Sequence, residues 1–456
     1  MSSDFVRFTN FKYKKSKYYF LYICEIKAYG IGYFFKLALS KILKISINNI
    51  EFITIAPDIF EQYNYENVVI INHEHMNKSK RLSSDIFAKL ISQNSYLDSI
   101  IDNILENQNE LYIYMFESNP FMTLDKKKNV FLVGPDKDLV SLLSDKIELY
   151  KRFSTVVPMA NYNYTKGLKN LKRYSKEMLK KYDKIFVSLE KSAAGSNSIV
   201  ANDIETIYAK FKNEKESTFL LTEFIKHKSD PTTLAVVINE NEVFVAGVAD
   251  QNIDGTKFKG STFPSKCPQK IQSKLIDLTK QIGREIAKIG YRGIFGCDFI
   301  VTDDNKIYFI EINPRKQGTT MEFCCTLQNR LKKSAPNLPE IEYYAVMRNS
   351  PPPNIGKFKK NVPLVCWGTY NYKLSQKRKT HYYLPQNSSE IEMFKNLYKK
   401  KVKKEFVILE HVGQDFFVDE GTFLARVVAT GQNYKDVESG IVIGKKIIEY
   451  TINSEV

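Results

Sequence analysis

The sequence predicts an α/β protein, with a mostly parallel sheet near its amino terminus and α+β lobes beyond it. Three observations carry that prediction. Short apolar runs, each sized for one strand, alternate with stretches whose apolar residues recur at helical spacing. Residues 290–317, GYRGIFGCDFIVTDDNKIYFIEINPRKQ, set two strand-like segments on either side of Asp303-Asp304-Asn305, which is a β-hairpin pattern. A length of 456 residues allows about three domains, and the proline-bearing stretches 336–339 and 350–353 punctuate the chain. The expected divisions are 1–130, 131–335 and 336–456.

In order along the chain, 1–17 is polar and basic, 18–24 reads as a strand and 33–43 as a helix. Strand-like runs follow at 50–56, 67–72 and 111–116, with helical spacing of Ile, Leu and Phe over 83–105. No glycine fingerprint marks a nucleotide loop here, so this segment is assigned to substrate binding or packing. His73 and His75 flank Glu74 at strand-like spacing, and we read them as a polar loop rather than a metal pair. At 131–153 a strand ends in Gly134-Pro135-Asp136, and a helix marked by Leu139, Leu142 and Leu143 ends at Ser144-Asp145-Lys146. A basic helix is expected over 165–181 and a strand over 184–189. The small-residue loop 190–198, EKSAAGSNS, can turn several backbone N–H groups onto a phosphate. Further strands are expected at 219–225, 232–239 and 242–250, then a helix over 271–289 that leads into the hairpin. Lys257 and Lys259 suit either an anion or solvent, and Glu322 could approach the substrate. Beyond the proline-marked boundary, 423–450 reads as a strand, Gly431 and a helix.

Composition excludes several classes. The six cysteines are scattered without CxxC spacing, so they read as reduced thiols of a cytoplasmic protein, neither a disulfide framework nor a zinc site. No apolar run approaches membrane-spanning length, and the start lacks the apolar core of a signal peptide. The net charge of +16 is carried by lysines spread among Asn, Ile and Tyr, a compositional bias as much as a binding device. No nucleic-acid-binding motif and no internal repeat is present.

The hairpin holds the chemistry. With an even-numbered loop Val301 faces Lys306, Asp298 lies opposite Phe309, and Glu311 is its diagonal neighbour. Side chains alternate along a strand, so Asp298, Glu311 and Asn313 project to one side. Diagonal neighbours stand roughly 7–8 Å apart, within reach of one shared ion. Two carboxylates and an amide oxygen are hard ligands suited to Mg²⁺, or Mn²⁺, that keeps water and phosphate oxygens in its shell. The carboxylate in Ile310-Glu311-Ile312 is costly to bury unless it is paired or metal-bound. Arg315 continues on the same face and can hold an anion beside the metal.

The run Gly290-x-x-Gly293-x-x-Gly296-x-Asp298-Phe299, followed by Phe309-Ile310-Glu311-Ile312-Asn313-Pro314-Arg315, resembles the metal-binding end of the ATP-grasp superfamily. The resemblance implies an ATP-grasp fold: an amino-terminal pre-ATP-grasp α/β domain at 1–130, the ATP-grasp domain at 131–335 and a small cap at 336–456. It also implies a ligase that makes an acyl phosphate from ATP and a carboxylate, then passes the acyl group to an amine. The implied metal ligands are Asp298, Glu311 and Asn313, with Arg315 on the carboxylate or its acyl phosphate. Lys146 falls where the family lysine meets nucleotide phosphate, and Ala194, Gly195 and Ser196 lie in the phosphate-covering loop. The family's second phosphate lysine falls on Leu189, a departure for which Lys191 is the substitute. Residues 219–225 resemble the strand whose backbone reads adenine, with Ile225 at its end and Glu223 on the ribose or base edge; a one-residue shift would substitute Thr222. Expected partners are a small-molecule carboxylate and an amine, amino acids among them, and the chain is a candidate homodimer. Residues 423–431 are similar to the cap of biotin carboxylase-like and purine-pathway ligases, so biotin-dependent carboxylation is the second enzyme reading. A degenerate ATP-binding module that docks an acidic partner on its basic surface is the non-enzyme reading, and Leu189 favours it.

Overall fold

The computed structural model describes residues 6–9, 11–25, 28–57, 67–71, 82–190, 197–255, 257–360, 362, 365–380, 384, 390–398, 404–410, 417–421 and 423–453. His73, Glu74 and His75 lie outside them, as do Lys191, Ala194, Gly195 and Ser196.

The amino-terminal sheet has six strands, in the spatial order Val6–Thr9, Val68–Ile71, Ile50–Ala56, Tyr18–Ile23, Leu111–Met115 and Val130–Val133. All neighbours are parallel except the first strand, which runs antiparallel at the edge. A parallel strand covered on both faces reads as a continuous apolar run, and YYFLYI over Tyr18–Ile23 divides accordingly. Phe20 and Tyr22 enter a core with Phe34, Phe35 and Leu39 of helix Gly30–Leu43. Tyr19, Leu21 and Ile23 enter the opposite core with Phe87, Ile91, Leu97 and Ile101. The helix expected over 83–105 is two helices, Ser84–Ser92 and Ser95–Leu105. The break falls where the Asn94 side chain accepts from Leu97 N at 2.9 Å and starts the second helix.

A four-stranded antiparallel sheet orders Tyr162–Lys166, Thr218–Glu223, Ile185–Leu189 and Ser198–Ala201. Helices Leu168–Leu179 and Ile204–Phe211 pack on it through Leu171, Met178, Ile207 and Phe211. The basic helix expected from 165 therefore begins three residues late. Thr165 and Lys166 end a strand, and Gly167, at φ +80°, makes the turn between the two.

The eight-stranded sheet is antiparallel throughout. Its order is Ile307–Asn313, Gly293–Val301, Pro231–Val237, Val243–Asp254, Lys257–Phe263, Cys366–Lys373, Phe423–Gly431 and Lys404–Glu410. Strands from before and after the proline-marked region thus share one sheet. At the seam, a Cβ on Gly260 would fall 1.9 Å from the Thr369 carbonyl oxygen, and Gly260 has φ +155°, so the close approach depends on glycine. Trp367 stacks on Phe263 there, with ring centres 5.2 Å apart. Helix Gln269–Lys288 covers the first half of the sheet through Ile271, Leu275, Ile282 and Ile286. Tyr434–Asn453 covers the second through Val437, Gly440 and Ile448. All six cysteines are buried and none is in a disulfide, and no helix of the described residues is long and apolar enough to cross a membrane.

Candidate active site

A cavity of about 360 Å³ opens between the four-stranded sheet and the hairpin end of the eight-stranded sheet. Its walls bring together the expected residues Lys146, Glu223, Ile225, Asp298, Glu311, Asn313 and Arg315. Phe186, Val200, Leu220 and Phe258 add apolar walls.

The hairpin register differs from the expected one in two places. Val301 pairs with Ile307, not Lys306, and a β-bulge between Asp298 and Phe299 adds a residue on the partner strand. Phe299 faces Phe309, while Asp298 faces Glu311 directly. The odd-length loop alone would have set Asp298 against Ile310. The bulge restores the carboxylates to one face and brings them closer than diagonal neighbours.

Asp298 is held from three sides. Thr232 donates its hydroxyl to Asp298 Oδ1 at 2.7 Å, and Asn313 Nδ2 donates to Oδ2 at 3.0 Å. Gln251 adds a side-chain hydrogen bond, and Gln317 Nε2 donates to the Thr232 hydroxyl at 3.2 Å. Burial, and then the facing Glu311 carboxylate, push Asp298 up to about 6 against those hydrogen bonds. The Asn313 side-chain Oδ1 accepts from Arg315 Nη2 at 3.2 Å, so amide and guanidinium orient each other. Arg315 also donates to the Lys316 carbonyl at 2.9 Å, and its Nε lies 3.5 Å from Glu117 Oε2.

Lys146 is the first residue of helix Lys146–Phe153, whose start is fixed by the Asp145 carboxylate accepting from Ile147 and Glu148 N–H. That placement carries the ammonium to 3.1 Å from Glu311 Oε2. Tyr150, one turn on, lines the same wall, and its phenol is pushed up by burial, then by Glu311 and Glu223.

Glu223 ends the strand Thr218–Glu223, and its Oε1 accepts from the Asn161 backbone and side chain at 3.0 and 2.9 Å. The next turn is pinned by His227. One ring nitrogen meets the Ile225 carbonyl at 2.7 Å, the other Asp230 Oδ1 at 3.0 Å. The Asp230 carboxylate raises the imidazole's affinity for a proton, burial opposes it, and the Ile225 carbonyl adds to the rise.

The donor set fits a hard divalent cation. Among the described residues no group of three or more His, Cys, Asp or Glu is assembled for a metal. The protein offers two facing carboxylates and an amide, which leaves most of a Mg²⁺ shell to water and phosphate. Burial and the facing Glu311 carboxylate both disfavour the charged form of Asp298, and a bound cation would favour it.

Thr232, Gln251, Gln317, His227 and Asp230 carried no sequence signal for this site. Each reaches it through the approach of strands remote in sequence.

Residues 143–319 match the family described as ATP-grasp domain. Over 104 residues the chain is 29% identical to L-propargylglycine–L-glutamate ligase of Streptantibioticus cattleyicolor, a match that covers 23% of this chain and 21% of that one. The match thus spans about a fifth of the curated relative's length. Biotin carboxylase of Campylobacter jejuni, solved with a β-γ-ATP ligand, is similar in fold: TM-score 0.63, 14% identity, 94% of this chain and 91% of that one. An ADP complex of N5-carboxyaminoimidazole ribonucleotide synthetase gives a TM-score of 0.60 at 13% identity, over 96% and 98% of the two chains.

Proposed function

We propose that this chain, whose residues 143–319 are an ATP-grasp domain, is an ATP-dependent carboxylate–amine ligase. The observation that carries the reading is that Asp298, Glu311, Asn313 and Arg315 line one cavity together with Lys146, Glu223 and Ile225. In this reading a nucleotide bound there has its base by Glu223–Ile225 and its phosphates by Lys146 and the carboxylate pair.

In the first step a substrate carboxylate oxygen attacks the γ-phosphorus, the bond to ADP breaks, and an acyl phosphate forms. In the second, the amine nitrogen attacks the acyl carbon, phosphate leaves, and one proton is released with the amide product. Arg315 presents a planar pair of donors matched to a carboxylate or its phosphate ester. Lys146 supplies a point charge to the phosphates once it is released from Glu311. Asn161 fixes the Glu223 carboxylate towards the nucleoside, and the hold of His227 on the Ile225 carbonyl sets the backbone beside it. Asp298, Glu311 and Asn313 would hold Mg²⁺, or Mn²⁺, which when bound offsets charge on the transferring phosphoryl group. We read 1–130 as the pre-ATP-grasp domain, 131–335 as the ATP-grasp domain and 336–456 as its cap. Six buried thiols suit a cytoplasmic setting.

The test is a hydroxylamine trap. Purified protein, MgATP and pooled carboxylates, including amino acids, are incubated with hydroxylamine as the amine. A ligase releases ADP and hydroxamate in equal amounts. Nucleotide binding without carboxylate-dependent ADP release would leave only a binding module.

A further inference from the structure

The exit of the hairpin is held by a buried charge rather than by a strand ladder. The strand Ile307–Asn313 ends at Asn313, and the next helix, Thr320–Arg330, begins only at Thr320. Between them Arg315 and Gln317 line the cavity, while Lys316 does not. Lys316 is 1% exposed, and its ammonium donates to the Met115 carbonyl at 2.8 Å. It also lies 3.9 Å from the centre of the Tyr114 ring and pairs with Glu342 Oε2 at 2.9 Å. Glu342, on helix Leu338–Arg348, is 0% exposed. Its Oε2 accepts from the Tyr114 hydroxyl at 2.7 Å, and its Oε1 accepts from Ile294 N at 3.1 Å.

One carboxylate thus ties together the start of the strand Gly293–Val301, the exit from its hairpin partner, and the end of Leu111–Met115 in the amino-terminal sheet. An ion pair buried this deeply is a poor stability device. Desolvation of the two ions offsets their attraction, and apolar side chains of similar size often serve as well or better. What the ammonium adds is direction, because its donors are fixed on the Met115 carbonyl and on Glu342. Its two neighbours in the chain are the side chains that enter the site. Gln317 Nε2 donates to the Thr232 hydroxyl, which in turn holds Asp298, and Arg315 Nη2 donates to Asn313 Oδ1. A shift of the backbone at Lys316 carries both of them with it.

We propose that Lys316 and Glu342 are positioning residues for the proposed reaction: their buried ion pair fixes the backbone between Arg315 and Gln317, and so aims both side chains into the cavity, with no gain in stability. This rests on the ligase reading. A misplacement of about 1 Å originating away from the chemistry is enough to cost about 100-fold in rate.

The test is the double variant Lys316→Met with Glu342→Gln. It removes both charges at once, in side chains of similar length, and the glutamine keeps an oxygen for Ile294 N. Its Tm is expected within about 5 °C of wild type. Calorimetric affinity for a non-hydrolysable ATP analogue with Mg²⁺ is expected within about 3-fold, while kcat in the hydroxamate trap falls by about 100-fold. Arg315 itself is followed by its rate of modification with phenylglyoxal, mapped by mass spectrometry, which is expected to rise about 5-fold or more as the backbone loosens. A kcat within about 3-fold of wild type with unchanged Arg315 reactivity overturns the inference. So does a double variant that fails to fold or loses more than about 10 °C in Tm, since the pair would then be a stability element. If wild type makes no hydroxamate, the ligase reading fails, and the Arg315 modification rate alone decides whether the pair positions that side chain.

Discussion

Lys146 Nζ lies 3.1 Å from Glu311 Oε2, so the cavity's lysine occupies the carboxylate that the proposed metal needs. Cation and ammonium compete for one oxygen. Metal binding is expected to turn Lys146 away towards the phosphates. Glu311→Gln and Asp298→Asn should each abolish ATP turnover, since each removes a ligand charge, while far-ultraviolet dichroism stays at wild type. Turnover within about 10-fold of wild type in either variant would remove these residues from the metal site.

Phosphate contacts are tested by a comparison of two lysines. If Lys191 takes the part of the second phosphate lysine, Lys191→Ala should raise the Michaelis constant for ATP at least as much as Lys146→Ala, by about 10-fold. An unchanged Lys191 variant would assign the phosphates to Lys146 and backbone amides alone.

Arg315→Lys separates nucleotide binding from acyl chemistry. A lysine keeps the charge but cannot form two parallel hydrogen bonds to a carboxylate. Calorimetric affinity for ATP should stay near wild type, while hydroxamate formation falls by about 100-fold or more, mainly in kcat. If ATP affinity collapses with ligation, Arg315 is a nucleotide or structural residue.

The metal-free protein should carry a pH signature of Asp298. Its folded value of about 6 lies above the unfolded value of 3.8, so between those values the folded state holds a proton that the unfolded state has lost. The native state therefore loses stability as pH rises through this window, and the penalty is complete above it. Asp298→Asn should match wild type in Tm near pH 3.5 and exceed it at pH 7.5. A difference that is the same at both pH values would show that Asp298 is not destabilised by its surroundings.

Gly260→Ala tests the seam of the long sheet. The new methyl has backbone, not a yielding side chain, 1.9 Å away, and φ +155° is strained for alanine. A stability loss of about 2 kcal/mol or more is expected. The sole tryptophan, Trp367, is buried in the seam against Phe263, so its emission should shift to the red as the strands part. Unchanged emission and Tm would mean the seam relaxes freely.

The fold class and the reactive hairpin were legible because burial leaves a mark in composition. YYFLYI is too apolar for a half-exposed strand, and Glu311 between two isoleucines is conspicuous. Register was not legible. Alternation fixes faces along one strand, but the bulge at Asp298 is a local backbone choice that hydrophobic pattern does not encode. The strand Tyr162–Lys166 was concealed for another reason. Its outer residues are largely exposed and polar, so it lacked the apolar period that separates a strand from the start of a helix. Thr232 and Gln317 meet Asp298 and each other only when distant strands converge, which a single sequence does not reveal.

The seam also orders events during synthesis. Lys257–Phe263 is an edge strand until Cys366–Lys373 pairs with it through Thr262 and Phe263. About a hundred residues separate the two, so at about 5–20 residues per second the ribosome leaves that edge open for several seconds. Phe258 and Phe263 lie on it, and an uncovered strand with aromatic side chains invites pairing between nascent chains. Lys257 and Lys259, on the same strand, give neighbouring copies a like charge to repel.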